Sequence, residues 1–133
     1  MSYLVFCSFE VGGLPFRMAE MLNRHGYPTC YVSVHKNADG HDSTEFHHGN
    51  ADTEWNLSAQ FEDGITSDKE IINKLKAIKK QHNITGCLAT GEKSFLLESA
   101  GIEYDYWSYG ADLDQICFYK KWPENFPVWR KLL

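Results

Sequence analysis

Four groups of residues in this 133-residue sequence have types and spacings that could do chemistry. The first is Gly12-Gly13, which follows the apolar run Leu4–Phe9 and precedes Pro15. Adjacent glycines let backbone N–H groups approach a phosphate closely, and a helix starting there adds roughly half a positive charge. Arg17, one turn on, is placed to add a further donor. The same pair would also serve as a bare strand-to-helix turn, and spacing alone does not separate the two readings. The second group is Asp112-Leu113-Asp114, whose carboxylates could hold a divalent cation. A loop aspartate capping the next helix is the favoured reading. The third is His41, His47 and His48. They fall in a polar stretch without a matching ligand pair, which favours a solvated loop over a metal site. The fourth is Cys7, Cys30, Cys87 and Cys117, widely spaced and without CxxC or zinc-ligand spacing, which read as reduced core thiols. Cys7 lies near a strand end, where a nucleophile could sit, yet nothing in the sequence singles it out.

Several chemistries are disfavoured. The GxGxxG fingerprint is absent, and Val34-His35-Lys36 offers no acidic residue for a ribose. No glycine-rich turn precedes Lys-Ser/Thr, so there is no P-loop. A formal charge of −5 argues against nucleic acid or an anionic membrane as the main partner. The N-terminus enters a strand without a basic and then apolar leader, and no apolar run approaches the ~20 residues of a membrane span. A cytoplasmic protein is expected.

The elements that must position these groups follow from periodicity. Leu4–Phe9 reads as a strand buried on both faces, the kind a parallel sheet produces. Leu14, Met18, Met21 and Leu22 recur at helical spacing, with Pro15 in the first turn and Gly26 as a left-handed cap. Thr29–Val34 is a second strand, completing a βαβ unit. The segment from His35 to Gly64 is polar, with Trp55, Leu57 and Phe61 as anchors, and should contain a short element around Glu54–Phe61. Ser67 and Glu70 form a capping-box pattern ahead of an amphipathic helix over Asp68–Gln81. Ile84–Ala89 is a strand that turns at Thr90-Gly91, Glu92–Ala100 a short helix closed by Gly101, and Glu103–Ser108 a further strand. A helix through Ile116–Lys120 and a last turn at Val128–Leu132 complete the chain. These elements predict one domain over residues 1–133, a Rossmann-like three-layer α/β/α sandwich with a largely parallel sheet. The turns at Glu10–Gly13, Thr90-Gly91 and Tyr109–Asp112 should gather at its carboxyl edge, where open α/β sheets bind ligands.

A resemblance sharpens this. Phe6, Phe9, Glu10 and Gly12-Gly13, continuing through Ala19-Glu20-Met21-Leu22-Asn23-Arg24-His25-Gly26-Tyr27, resemble the opening of retaining GT-B glycosyltransferases of the family-four type. Trp107-Ser108-Tyr109-Gly110-Ala111-Asp112-Leu113 resembles the later His-Gly-x-Asp-Leu loop of that family. The resemblance implies that Gly12 and Gly13 approach the donor's phosphates. It also implies that Glu10, Arg17, Tyr109, Gly110 and Asp112 line the cleft where donor and acceptor sugars meet. Tyr109 stands where the family carries histidine, so that residue's hydrogen bond to the transferred sugar does not carry over. Family members need no metal or other cofactor, which lowers the standing of Asp112-Leu113-Asp114 as a cation site. They also have a second domain that binds most of the nucleotide sugar, for which this chain is too short. The expectation is an acceptor-side domain, inactive alone, whose partners are a nucleotide sugar, a sugar-containing acceptor and a missing C-terminal donor domain. The rival expectation is a non-enzymatic flavodoxin-like ligand-binding or protein-interaction module, with Trp122, Phe126 and Trp129 as tail residues for an interface.

Overall fold

The computed structural model describes residues 1–9, 14–35, 53–61 and 67–107. In chain order these form β1 (Ser2–Phe9), α1 (Leu14–Arg24), β2 (Thr29–His35), a 3-10 turn (Ser58–Phe61), α2 (Asp68–His82), β3 (Ile84–Thr90), a 3-10 turn (Glu92–Phe95), α3 (Leu96–Ser99) and β4 (Asp105–Tyr106). The strands make one four-stranded sheet in the order β2-β1-β3-β4. Every pairing is parallel. This is the expected Rossmann-like α/β sandwich.

β1 lies between β2 and β3, and Leu4 to Ser8 are all buried, as its unbroken apolar run requires. The side-chain alternation of the sheet divides the core in two. On one face Leu4, Phe6, Cys30, Val32, Val34, Cys87 and Ala89 meet Ile71, Leu75 and Ile78 of α2 and Leu96 and Leu97 of α3. On the other, Val5, Cys7 and Tyr31 meet Phe16 and Ala19 of α1, with Met18, Leu22 and Trp55 packed around them. Among the described residues the second core is the smaller and is centred on β1 and β2.

Local chemistry ends each helix. Gly26 has φ 83°, and Tyr27 N–H donates to Leu22 O while Gly26 N–H donates to Asn23 O. Both bonds of a Schellman cap are therefore made, which the left-handed glycine permits. The same pair of bonds closes α3 at Gly101, whose φ is 72°. Ser67 is extended (φ −122°, ψ 146°), and its hydroxyl accepts Glu70 N–H at 3.3 Å, satisfying an orphan donor at the start of α2. That helix ends in a left-handed Asn83 (φ 50°) with Lys79, Lys80 and His82 in its last turn, where cations complement the dipole.

Residues 53–61 extend the sheet beyond β2. Tyr31 N–H donates to Trp55 O at 2.9 Å, and Leu57 N–H donates to Tyr31 O at 2.8 Å. One step further along, Ser33 N–H is taken by the buried hydroxyl of Ser58 at 2.9 Å. A single side chain thus replaces the strand that would otherwise satisfy that edge. At the opposite end of β2, Asn23 acts as a bracket. Its amide donates to Thr29 O at 2.9 Å and accepts Thr29 N–H at 3.0 Å, tying the last turn of α1 to the first residue of the strand.

The expected short helix over 92–100 is split into a 3-10 turn and one α-turn. The strand expected over 103–108 pairs only at Asp105 and Tyr106 among the described residues. The helix expected at Ile116–Lys120 and the turn at Val128–Leu132 lie outside the described residues.

Candidate functional site

All four strands run parallel, so the chain leaves β1, β2, β3 and β4 at one carboxyl edge. From β1 the chain goes to β2 on one side, and β3 and β4 are laid on the other. The order reverses between β1 and β3, and the carboxyl end of that gap is the switch point at which open α/β sheets hold ligands.

The switch point is built from Cys7, Ser8, Thr90 and Gly91. On the face shared with α2 and α3 it is closed. Gly91 has φ 93°, and a Cβ there would fall 2.5 Å from Ser8 Oγ and 3.1 Å from the Ser8 nitrogen. Only glycine fits so near β1 with this backbone. Ser8 Oγ accepts Lys93 N–H at 2.7 Å, and Ser94 Oγ donates to Gly91 O at 2.8 Å, so the turn after β3 is held by hydroxyls on both sides. Lys93 Nζ reaches Asp68 at 2.8 Å, linking the turn to the start of α2.

On the face shared with α1 the arrangement differs. Thr90 pairs in register with Cys7, which pairs with Ser33 on β2. This row brings a hydroxyl, a thiol and a second hydroxyl across the carboxyl end of the sheet. Thr90 is 2% exposed, and its Oγ1 has no hydrogen-bond partner. Leaving a buried hydroxyl unpaired costs about 1–3 kcal/mol. Cys7 is fully buried, and its Sγ lies 3.5 Å from the Tyr31 hydroxyl. That contact suits a core thiol better than an accessible nucleophile.

Cys7, Cys30 and Cys87 are free and buried, in line with the reading as core thiols. Burial raises the Cys30 thiol above its ordinary value. Burial, aided by the neighbouring Asp105 carboxylate, pushes Cys87 up to about 12. Among the described residues no cluster of His, Cys, Asp or Glu could hold a metal ion. No helix among them is long and apolar enough to cross a membrane.

Of the residues expected at the phosphate site and the cleft, Arg17 alone is described. It sits in the second turn of α1, half-exposed, and donates to Glu20 at 2.9 Å. Glu20 also accepts from Arg24 at 3.2 Å. Exposed pairs of this kind contribute about 0–1 kcal/mol, so the guanidinium is cheaply released to another anion. Glu10, Gly12, Gly13, Tyr109, Gly110 and Asp112 lie outside the described residues, as do Asp114, His41, His47, His48 and Cys117. Sequence reasoning placed the turn at Thr90-Gly91 at this edge but missed Ser8 as the group that holds it, and missed the unpaired Thr90 hydroxyl. A serine and a threonine closing two apolar strands were the available signal.

Comparison with protein-family models, curated proteins and solved structures returns no match for this chain.

Proposed function

We propose that this chain is the acceptor-side domain of a retaining glycosyltransferase, meeting the diphosphate of a nucleotide-sugar donor at the carboxyl edge between β1 and β3. The observation that carries the reading is the buried Thr90 hydroxyl, which has no partner and lies at the switch point. Buried polar groups are overwhelmingly paired, and an exception at a ligand edge is accounted for when the ligand supplies the missing bond. The sequence resemblance adds Gly12-Gly13 as the backbone cradle for the diphosphate, with α1 behind it. Arg17 releases Glu20 to serve as a second donor. The same resemblance assigns Tyr109, Gly110 and Asp112 to the acceptor cleft. The nucleotide and most of the donor sugar are held by a domain outside this sequence, and no metal or other cofactor takes part.

Catalysis in such a domain is positional and electrostatic. Negative charge gathers on the diphosphate as its bond to the sugar breaks, and fixed N–H and hydroxyl donors stabilise that charge without reorganising. Affinity of this half alone is weak, of millimolar order or about −4 kcal/mol. Its turnover is negligible. The buried thiols fit a cytoplasmic setting. Incubation with a panel of nucleotide sugars and acceptors checks the division of labour. Weak saturable binding without transfer is expected, and robust transfer by the chain alone would contradict it.

A second reading, a flavodoxin-like binding module without catalysis, is favoured by the strand order β2-β1-β3-β4, which begins the order typical of that fold. The two readings share the ligand edge and differ in the partner. A continuing reading frame that encodes a second βαβ domain supports glycosyl transfer, and phosphate binding by a lone domain supports the module.

A further inference from the structure

The ion pair between Lys93 and Asp68 stands at the carboxyl edge of the sheet. α2 ends at His82 and β3 begins at Ile84, so the end of the helix meets the start of the strand. The helix has 15 residues and the strand 7. At about 1.5 Å per helical residue and about 3.3 Å per strand residue, the two have nearly the same length, roughly 23 Å. The first turn of α2 therefore comes level with the carboxyl end of β3. The 2.8 Å contact from Lys93 Nζ to Asp68 Oδ1 agrees with that placement. The backbone of Lys93 is fixed, since its N–H donates to Ser8 Oγ at 2.7 Å. Its side chain is held less firmly. The Lys93 side chain is 26% exposed and that of Asp68 48%, so water screens the pair and little is lost when it opens. Thr90, three residues before Lys93, ends the same strand with a buried hydroxyl that has no partner.

We infer that this pair is a latch on the diphosphate site, in which the ligand draws the Lys93 ammonium away from Asp68. The inference rests on the proposed diphosphate at the edge between β1 and β3, and it supplies the regulation of that site. Thr90 pairs with Cys7 and shares its α1 side of the sheet, whereas Ser8 alternates to the α2 side and holds Lys93 there. A diphosphate across the strand ends is thus met by a hydroxyl from one side and a cation from the other. Lysine suits this role, being a compact charge on a flexible four-carbon stem. Asp68 gives up its cation in the exchange, but its carboxylate stays in the first turn of α2, where the helix dipole favours it. The diphosphate brings more charge and more acceptor oxygens than one carboxylate, so it takes the ammonium when it is present. While the edge is empty, Asp68 holds that ammonium aside. Asp68 is therefore an internal competitor that sets the affinity of the site.

The test titrates the full chain with inorganic pyrophosphate, followed by amide NMR. Lys93→Met should weaken binding about tenfold, the effect of losing one charge-assisted hydrogen bond. Asp68→Asn should act in the opposite direction and tighten binding about two- to fivefold, because the competitor is gone. A purely structural ion pair would move both variants the same way. In the Lys93→Met background, Asp68→Asn should have no further effect. Glu70→Gln makes the same change of charge in the same helical turn and should tighten binding less. An equal gain from it would overturn the latch. Binding that Thr90→Val weakens but Asp68→Asn leaves unchanged would overturn the latch and spare the diphosphate site. Absence of binding to the wild type would overturn both. The wild type also gives a reading that needs no variant to fold. Its Asp68 carboxyl carbon and Lys93 ammonium nitrogen should shift as pyrophosphate is added, and stationary resonances would contradict the latch.

Discussion

Ser8 Oγ accepts the backbone N–H of Lys93 at 2.7 Å, joining the carboxyl end of the central strand to the turn that follows β3. The bond spans 85 residues of sequence. It fixes the edge on which any ligand at the switch point depends. Ser8→Ala removes the acceptor and leaves a partly buried N–H unpaired, a loss of about 1–3 kcal/mol by urea unfolding. Gly91→Ala should cost more, since it combines a φ of 93° with a Cβ 2.5 Å from Ser8 Oγ. A destabilisation of about 2–4 kcal/mol is expected from strain and displacement together. Wild-type stability in Gly91→Ala would mean that the turn does not sit against β1.

Asn23 ties α1 to the start of β2, and its removal should be felt at β2. Asn23→Ala deletes both bonds to Thr29, for an expected loss of about 1–3 kcal/mol. Asn23→Asp keeps the acceptor for Thr29 N–H but not the donor, so its stability should fall between the two. Amide exchange at Thr29 should quicken in Asn23→Ala, and unchanged exchange there would contradict the bracket.

Alkaline titration reads Cys87. Its thiol is raised from 9.0 to about 12 by burial and by Asp105, so folding favours the neutral form. The associated stability is complete below pH 9 and is lost as pH climbs through the interval up to about 12. Over that interval the wild type should lose stability by about 1.4 kcal/mol per pH unit more than Cys87→Ala does. The comparison of slopes, measured by denaturant unfolding, is independent of the cavity the substitution leaves. Equal slopes would show that Cys87 titrates normally.

Thr90→Val separates a ligand group from a structural one. The side chains are nearly isosteric, and the hydroxyl has no partner in the free protein. Its removal should therefore raise stability by about 1 kcal/mol. A loss of similar size would reveal a hydrogen bond that the free chain already makes. Gain of stability with loss of phosphate binding is the pattern of a residue kept for function.

What could be read in advance divides along the range of the interactions. The βαβ unit was legible because its signals are local: an apolar run, Pro15, and Gly26 two residues past the last turn. The start of α2 was legible for the same reason, in Ser67. The edge made by residues 53–61 was expected only as a short element, since its identity rests on pairing with Tyr31 and Ser33 far away in sequence. Asn23 and Ser8 read as ordinary polar residues because their partners are set by the tertiary fold. At the candidate site the sheet edge and its turn at Thr90-Gly91 were foreseen. The unpaired hydroxyl was not, because satisfaction of a side chain is not encoded in its neighbours. Among the expected cleft residues Arg17 is the one the structure describes, held by Glu20 on the outer side of α1.

The most direct test of the account is an amide NMR titration of the full chain with a nucleoside diphosphate, a nucleoside monophosphate and inorganic phosphate. The diphosphate should bind most tightly, with a Kd of millimolar order, about −4 kcal/mol. Its shifts should cluster at residues 12–17 and at Thr90-Gly91, and Gly13→Ala and Thr90→Val should each weaken them. Unchanged spectra at tens of millimolar ligand, or shifts away from the carboxyl edge that survive both substitutions, would contradict a diphosphate site between β1 and β3.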